Sequence, residues 1–125
     1  MATIYTTVGE EEVVDIIDGT ASAPTDLGTG NNFIGWGTGA GTAAKADTAL
    51  FTEAAEARVG GTVSQSTPST NQWVATITSA SGQTITNAGL FNTVTGGVLV
   101  IHGDFTGIVL ANGDKIEFTI SLEQT

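Results

Sequence analysis

The chain contains one imidazole, His102, set inside its most hydrophobic stretch. Asp104 follows two residues later, which on a strand places both side chains on one face, so the acid could orient the ring. Hydrolysis of the serine type also needs a nucleophile, and no Gly-x-Ser-x-Gly turn accompanies the pair. A lone histidine on an apolar strand reads as a hydrogen-bonded structural residue. Thirteen Asp and Glu residues always furnish two carboxylates, so the glycosidase pattern of two opposed acids is no specific signal here. A zinc site asks for further His or Cys. The absence of cysteine excludes disulfides, zinc thiolates and a thiol nucleophile. Gly39, Gly41 and Ala44 have the Gly-x-Gly-x-x-Ala spacing of a dinucleotide turn. That turn needs a following helix and an acid ending the next strand, whereas the segments that follow read as antiparallel strands and turns, so no cofactor is expected. Asp26, Asn31 and Asn32 lack the calcium-loop spacing, and no metal is expected. Trp36, Trp73 and Tyr5 are candidates for a sugar-binding platform, although Trp73 falls on the inward side of its strand.

Charge narrows the partners. Thirteen acids face Lys45, Arg58 and Lys115, for a net charge of −10. Phosphate recognition requires clustered Lys and Arg. The chain has no such cluster, so neither direct nucleic-acid binding nor attraction to an anionic membrane is expected. Only 13% of the residues are charged, while 17 are glycine, a balance that suits an all-β domain with many turns. No signal peptide and no apolar run long enough to span a membrane is evident, so synthesis in a cytosol is the default.

The elements that must position these residues can be read in order. Residues 8–18 form the best helix candidate. Thr7 and Glu10 fit a capping box, Glu10, Glu11 and Glu12 fall in the first turn, where the helix dipole favours anions, and Val13, Ile16 and Ile17 make one apolar stripe. The three glutamates read as a solvated helix start, as a contact for a basic patch on a partner, or as a divalent-cation site. Residues 19–32 read as a loop, and 33–36 as a short strand. Residues 46–57 read as a short helix or an irregular excursion anchored by Leu50 and Phe51, with Glu53 and Arg58 close enough to form an ion pair. Alternation over 58–64 and 73–78 marks strands. Leu90 and Phe91, then Val98 to Ile101, form a hairpin around Gly96-Gly97. Asn112-Gly113 turns the chain into a final strand with Ile116, Phe118, Ile120 and Leu122 facing in. The run from Val98 to Ile101 does not alternate, which implies burial on both faces, within a sandwich or against a partner chain. These features predict an all-β, jelly-roll-like antiparallel sandwich over 33–125, preceded by an N-terminal arm over 1–32 that carries the short helix.

Four segments together resemble small virion proteins of tailed bacteriophages: Trp36-Gly-Thr-Gly; Asp47-Thr-Ala-Leu-Phe-Thr-Glu with Arg58 following; Asn87-Ala-Gly-Leu-Phe-Asn-Thr-Val-Thr-Gly-Gly; and Gly113-Asp-Lys-Ile-Glu-Phe-Thr-Ile. The resemblance covers residues 33–122. It implies a capsid decoration (cement) protein, non-enzymatic, seated on the capsid surface as a homotrimer against the major capsid protein. Val98 and Val100 would then contribute to a threefold contact. Tail-fibre or baseplate modules that bind host glycan belong to the same circle of relatives and remain the alternative. A small hydrolase built on His102 is a third reading.

Overall fold

The computed structural model describes residues 2–19 and 27–124. In chain order they form β1 (Ala2–Tyr5), α1 (Thr7–Asp18), β2 (Phe33–Gly37), β3 (Val59–Gly60), β4 (Thr62–Thr67), β5 (Thr70–Thr78), β6 (Gln83–Phe91), β7 (Leu99–Leu110) and β8 (Lys115–Glu123). The strands divide into a five-stranded sheet, ordered β1-β7-β6-β2-β3, and a three-stranded sheet, ordered β4-β5-β8. All pairings are antiparallel. The two sheets enclose one apolar core, in a sandwich-like arrangement. No helix among the described residues is long and apolar enough to cross a membrane.

Alternation dictates the smaller sheet. β8 turns Ile116, Phe118, Ile120 and Leu122 toward the core and leaves its odd-numbered residues exposed. It runs beside β5 without a break in register, from Thr70 opposite Glu123 to Thr78 opposite Lys115, and β5 adds Trp73, Ala75 and Ile77 to the same core. Gly113 at φ +93° makes the turn that feeds β8, a conformation that costs glycine little.

The larger sheet explains the unalternating run. Leu90 stands opposite Ile101, but Phe91 stands opposite Leu99, so Val100 is an extra residue on β7. Such a bulge changes which way successive side chains face. Val100 and Ile101 both enter the core between the sheets, while Leu99 joins Leu50 and Phe91 in a second cluster. That second cluster lies beneath the irregular segment 38–58, which closes over the outer face of the larger sheet. Burial on both faces is therefore supplied by the chain itself. The hairpin turn uses Gly96 and Gly97 at φ +61° and +70°.

The N-terminal segment is not a free arm. Residues 2–5 pair with β7, Ala2 opposite Asp104 and Tyr5 opposite Ile101. The pairing also moves the helix cap. Thr6, still bonded to β7 through its N–H to the Val100 carbonyl (3.1 Å), accepts the Gly9 N–H at its Oγ1 (3.0 Å) and donates that hydroxyl to the Leu99 carbonyl. The cap is thus Thr6 rather than Thr7, and position N3 is Gly9, so there is no capping box. The buried face of α1 is Gly9 and Glu12. The expected stripe fails at Ile17, which is 79% exposed, because the helix lies backbone-close on β7: a Cβ on Gly9 would stand 2.7 Å from the Val100 Cα. Gly19 at φ +80° ends the helix as expected.

Candidate functional site

The polar constellation with the richest chemistry gathers around His102, on the outer face of the larger sheet. Nδ1 stands 2.7 Å from Asp47 Oδ2, and Nε2 stands 3.0 Å from Asn87 Oδ1. The Phe51 ring meets the imidazole edge-on, with centroids 4.7 Å apart. Asn87 is itself fixed, since its Oδ1 accepts the Phe51 N–H and its Nδ2 donates to the Phe51 carbonyl, both at 3.0 Å. With Oδ1 identified as an acceptor by the Phe51 N–H, Nε2–H must donate to it. Asp47 Oδ2 also accepts the Ala44 N–H (2.8 Å).

Every member of this group holds segment 38–58 down. His102 is 0% exposed, and both ring nitrogens are occupied. The acid on the ring is Asp47, not Asp104; Asp104 shares the face, as strand geometry requires, but its Oδ1 accepts the Ala43 N–H (2.9 Å). Gly39 and Gly41, candidates for a dinucleotide turn, lie against Phe51, where a Cβ on either would come within 2.7 Å of Phe51 or Thr52 atoms. Their role is close packing of the loop. No helix follows them before β3.

A second group stands beside the first. Arg58 makes a two-pronged pair with Glu53, Nε to Oε2 at 2.7 Å and Nη2 to Oε1 at 3.0 Å. Its Nη1 donates to the carbonyls of Thr93 (3.0 Å) and Gly96 (2.8 Å), and its guanidinium lies 3.4 Å above the Phe91 ring centroid. One cation thereby ties segment 38–58 to the hairpin turn. Glu56 acts similarly at the other end, accepting from Trp36 Nε1 (3.2 Å), the Ala80 N–H (2.8 Å) and Gln83 Nε2 (2.6 Å). Burial works to raise its pKa, but these bonds, with its own N–H, outweigh burial and hold the carboxyl below the usual glutamate range.

The proposed contact residues scatter. Glu10 is paired with Lys45. Glu11 is exposed. Glu12 is only 7% exposed and its Oε1 accepts from Asn92 Nδ2 (3.2 Å), so it serves the helix–sheet junction. Val100 is 0% exposed and offers nothing to a partner, because the bulge turns it inward. Val98 packs half-buried against the core. Trp36 and Trp73 are 1% and 2% exposed, so no aromatic platform of the expected kind exists on the surface. Asp26 lies outside the described residues. Asn32 is buried and donates its Nδ2 to the Gly28 carbonyl (2.7 Å). Among the described residues, no three His, Asp or Glu side chains gather to hold a metal ion.

Sequence reasoning missed Asp47 and Asn87 as partners of the ring. Asn87 had a signal, being an uncharged polar residue at the head of an apolar strand, where it needs a bonding partner. Comparison of the chain with protein-family models, with curated proteins and with solved structures gave no match.

Proposed function

We propose that the chain is a non-enzymatic structural protein of a phage virion that binds the outside of a capsid and stabilises it. The observation that carries the non-catalytic part is the fate of His102: the only imidazole is sealed at 0% exposure, with both nitrogens committed to Asp47 and Asn87. A general base must reach its substrate, and this one reaches two loop-holding groups. The virion assignment rests on the four resembling segments. They supply the residues that clamp segment 38–58 to the sheet: Trp36, Asp47, Phe51, Glu53, Arg58 and Asn87. The jelly-roll reading of the sandwich, the homotrimer and the major capsid protein as partner come with that assignment.

Co-sedimentation with particles built from the major capsid protein of the same genome tests the reading. Saturable binding and a raised particle disruption temperature are the expected results. A chain that stays in the supernatant at every concentration overturns it. Binding to host glycans instead would move the chain to the tail-fibre alternative, a reading that the burial of both tryptophans disfavours.

A further inference from the structure

Sheets expose unpaired main-chain groups at their edges, and proteins blunt most edges to avoid unwanted pairing. Three of the four edges here are blunted. β3 is 2 residues long and β1 is 4. β4 carries a register shift between Gln65 and Thr67, and Pro68 follows. β8 is different: 9 residues, unbroken register, and no proline. Bonds flanking β8 in the same register, Ser79 N–H to the Asp114 carbonyl (2.7 Å) and Gln124 N–H to the Ser69 carbonyl (2.8 Å), show that its even-numbered residues bond to β5. Antiparallel ladders alternate, so the main-chain groups of Glu117, Thr119 and Ser121 face away from the sheet.

A slot runs beside this edge. Phe118 packs edge-on to Trp36 of β2 (6.2 Å) and against Phe105 of β7 (6.3 Å), so β8 lies over β6, between those two strands. β7 and β1 therefore overhang it. The cavity left beneath, of about 330 Å³, is lined by Ile101, Phe105, Phe118 and Ile120, with Thr3 on one wall and Ser121 on the other.

We propose that this slot takes one extended segment of another protein, added antiparallel to β8, with small apolar residues facing in and lysines opposite Glu117 and Glu123. The overhang selects a lone strand over a second copy, because two copies joined at β8 would drive their β1 and β7 strands into one another. Charge selects a basic segment. The chain carries −10, Lys45 and Arg58 are already paired with Glu10 and Glu53, and opposite charges across a strand pair are favourable. The mode is strand addition, in which main-chain bonds give affinity and alternate pockets give specificity. It does not depend on the partner being a capsid.

The probe is the peptide Lys-Val-Ser-Val-Thr-Val-Lys-Val-Glu, titrated into the full chain. The expected result is saturable binding with slowed amide exchange at Glu117, Thr119 and Ser121. Replacing the peptide's lysines with glutamate weakens binding about ten-fold. Thr119→Pro, which removes an N–H that β5 does not use, abolishes it, with a thermal melt as the check on folding. Glu117→Lys with Glu123→Lys, at two exposed positions, reverses the preference toward the acidic peptide. No saturation, binding unmoved by Thr119→Pro, slowed exchange on α1 instead, or self-association of the chain through β8 each overturns the proposal.

Discussion

Asn87 and Phe51 are joined twice. The amide oxygen of Asn87 accepts the Phe51 N–H, and its amide nitrogen donates to the Phe51 carbonyl, each at 3.0 Å. A side chain here does what a neighbouring strand would do, pairing with both main-chain groups of one loop residue. The Phe51 carbonyl also accepts the Gly39 N–H (2.9 Å), while the Phe51 N–H relies on the Asn87 amide oxygen, so the side chain supplies the acceptor that burial demands.

Removing that side chain tests the clamp. Asn87→Ala strips partners from the Phe51 N–H and His102 Nε2 together, while the Phe51 carbonyl keeps the Gly39 N–H. Unsatisfied buried groups cost about 1–3 kcal/mol each, and partial relaxation leaves an expected loss near 3 kcal/mol. Urea unfolding measures it. A loss below about 1 kcal/mol would show that the loop is held elsewhere.

Arg58 should not tolerate its nearest chemical substitute. Lysine keeps the charge but cannot bridge Glu53 with two prongs while reaching two carbonyls and covering the Phe91 ring. Arg58→Lys is expected to cost about 1–2 kcal/mol, and Arg58→Ala about 3 kcal/mol, since it leaves Glu53 and two carbonyls without their donor. Equal stability for wild type and Arg58→Lys in calorimetry would contradict the fork.

Glu56 predicts a pH dependence. Its carboxyl sits below its ordinary value of 4.5, with hydrogen bonds outweighing the opposing effect of burial. A depressed carboxyl stabilises the folded state at pH above that ordinary value, and the contribution is lost as the pH falls through the folded value. Wild type and Glu56→Gln should therefore differ most near neutrality and converge in acid. Urea midpoints at about pH 7 and about pH 3 give the comparison, and a gap of constant size would refute it.

Gly9→Ala sets two effects against each other. Alanine favours a helix over glycine by about 1 kcal/mol. The added methyl, however, would stand 2.7 Å from the Val100 Cα, and main chain cannot swing aside. Packing should win, with a net loss of about 2 kcal/mol as α1 is pushed off β7. A more stable variant would mean that the helix is free to slide.

Much of the sandwich was legible because alternation and turn chemistry are local. Ile116 to Leu122, Trp73 to Ile77, Gly96-Gly97 and Gly113 announced their roles within a few residues. The run from Val98 to Ile101 showed burial on both faces but not the source of the second cover. That cover is segment 38–58, whose Leu50 and Phe51 were recognisable as anchors although their target was not. The Thr6 cap and the burial of Glu12 were hidden for a related reason. Both follow from distant chain lying beneath α1: the Thr6 hydroxyl and the Leu99 carbonyl are 93 residues apart, and Glu12 and Asn92 are 80 apart. Spacing along a strand offers Asp104 as an acid that could orient His102, whereas Asp47 holds the ring, because spacing gives the face a side chain shares and says nothing of a loop folded down from elsewhere.

The pairing of β1 with β7 has a temporal side. β1 is synthesised well before the β7 strand it pairs with, and distant pairings of this kind form slowly. Until then the glutamates of α1 and the bare edge of β1 wait in solution without a template. Truncations from the carboxyl end that remove β7 should thus yield no partially folded amino-terminal half, only chain that a protease can digest throughout.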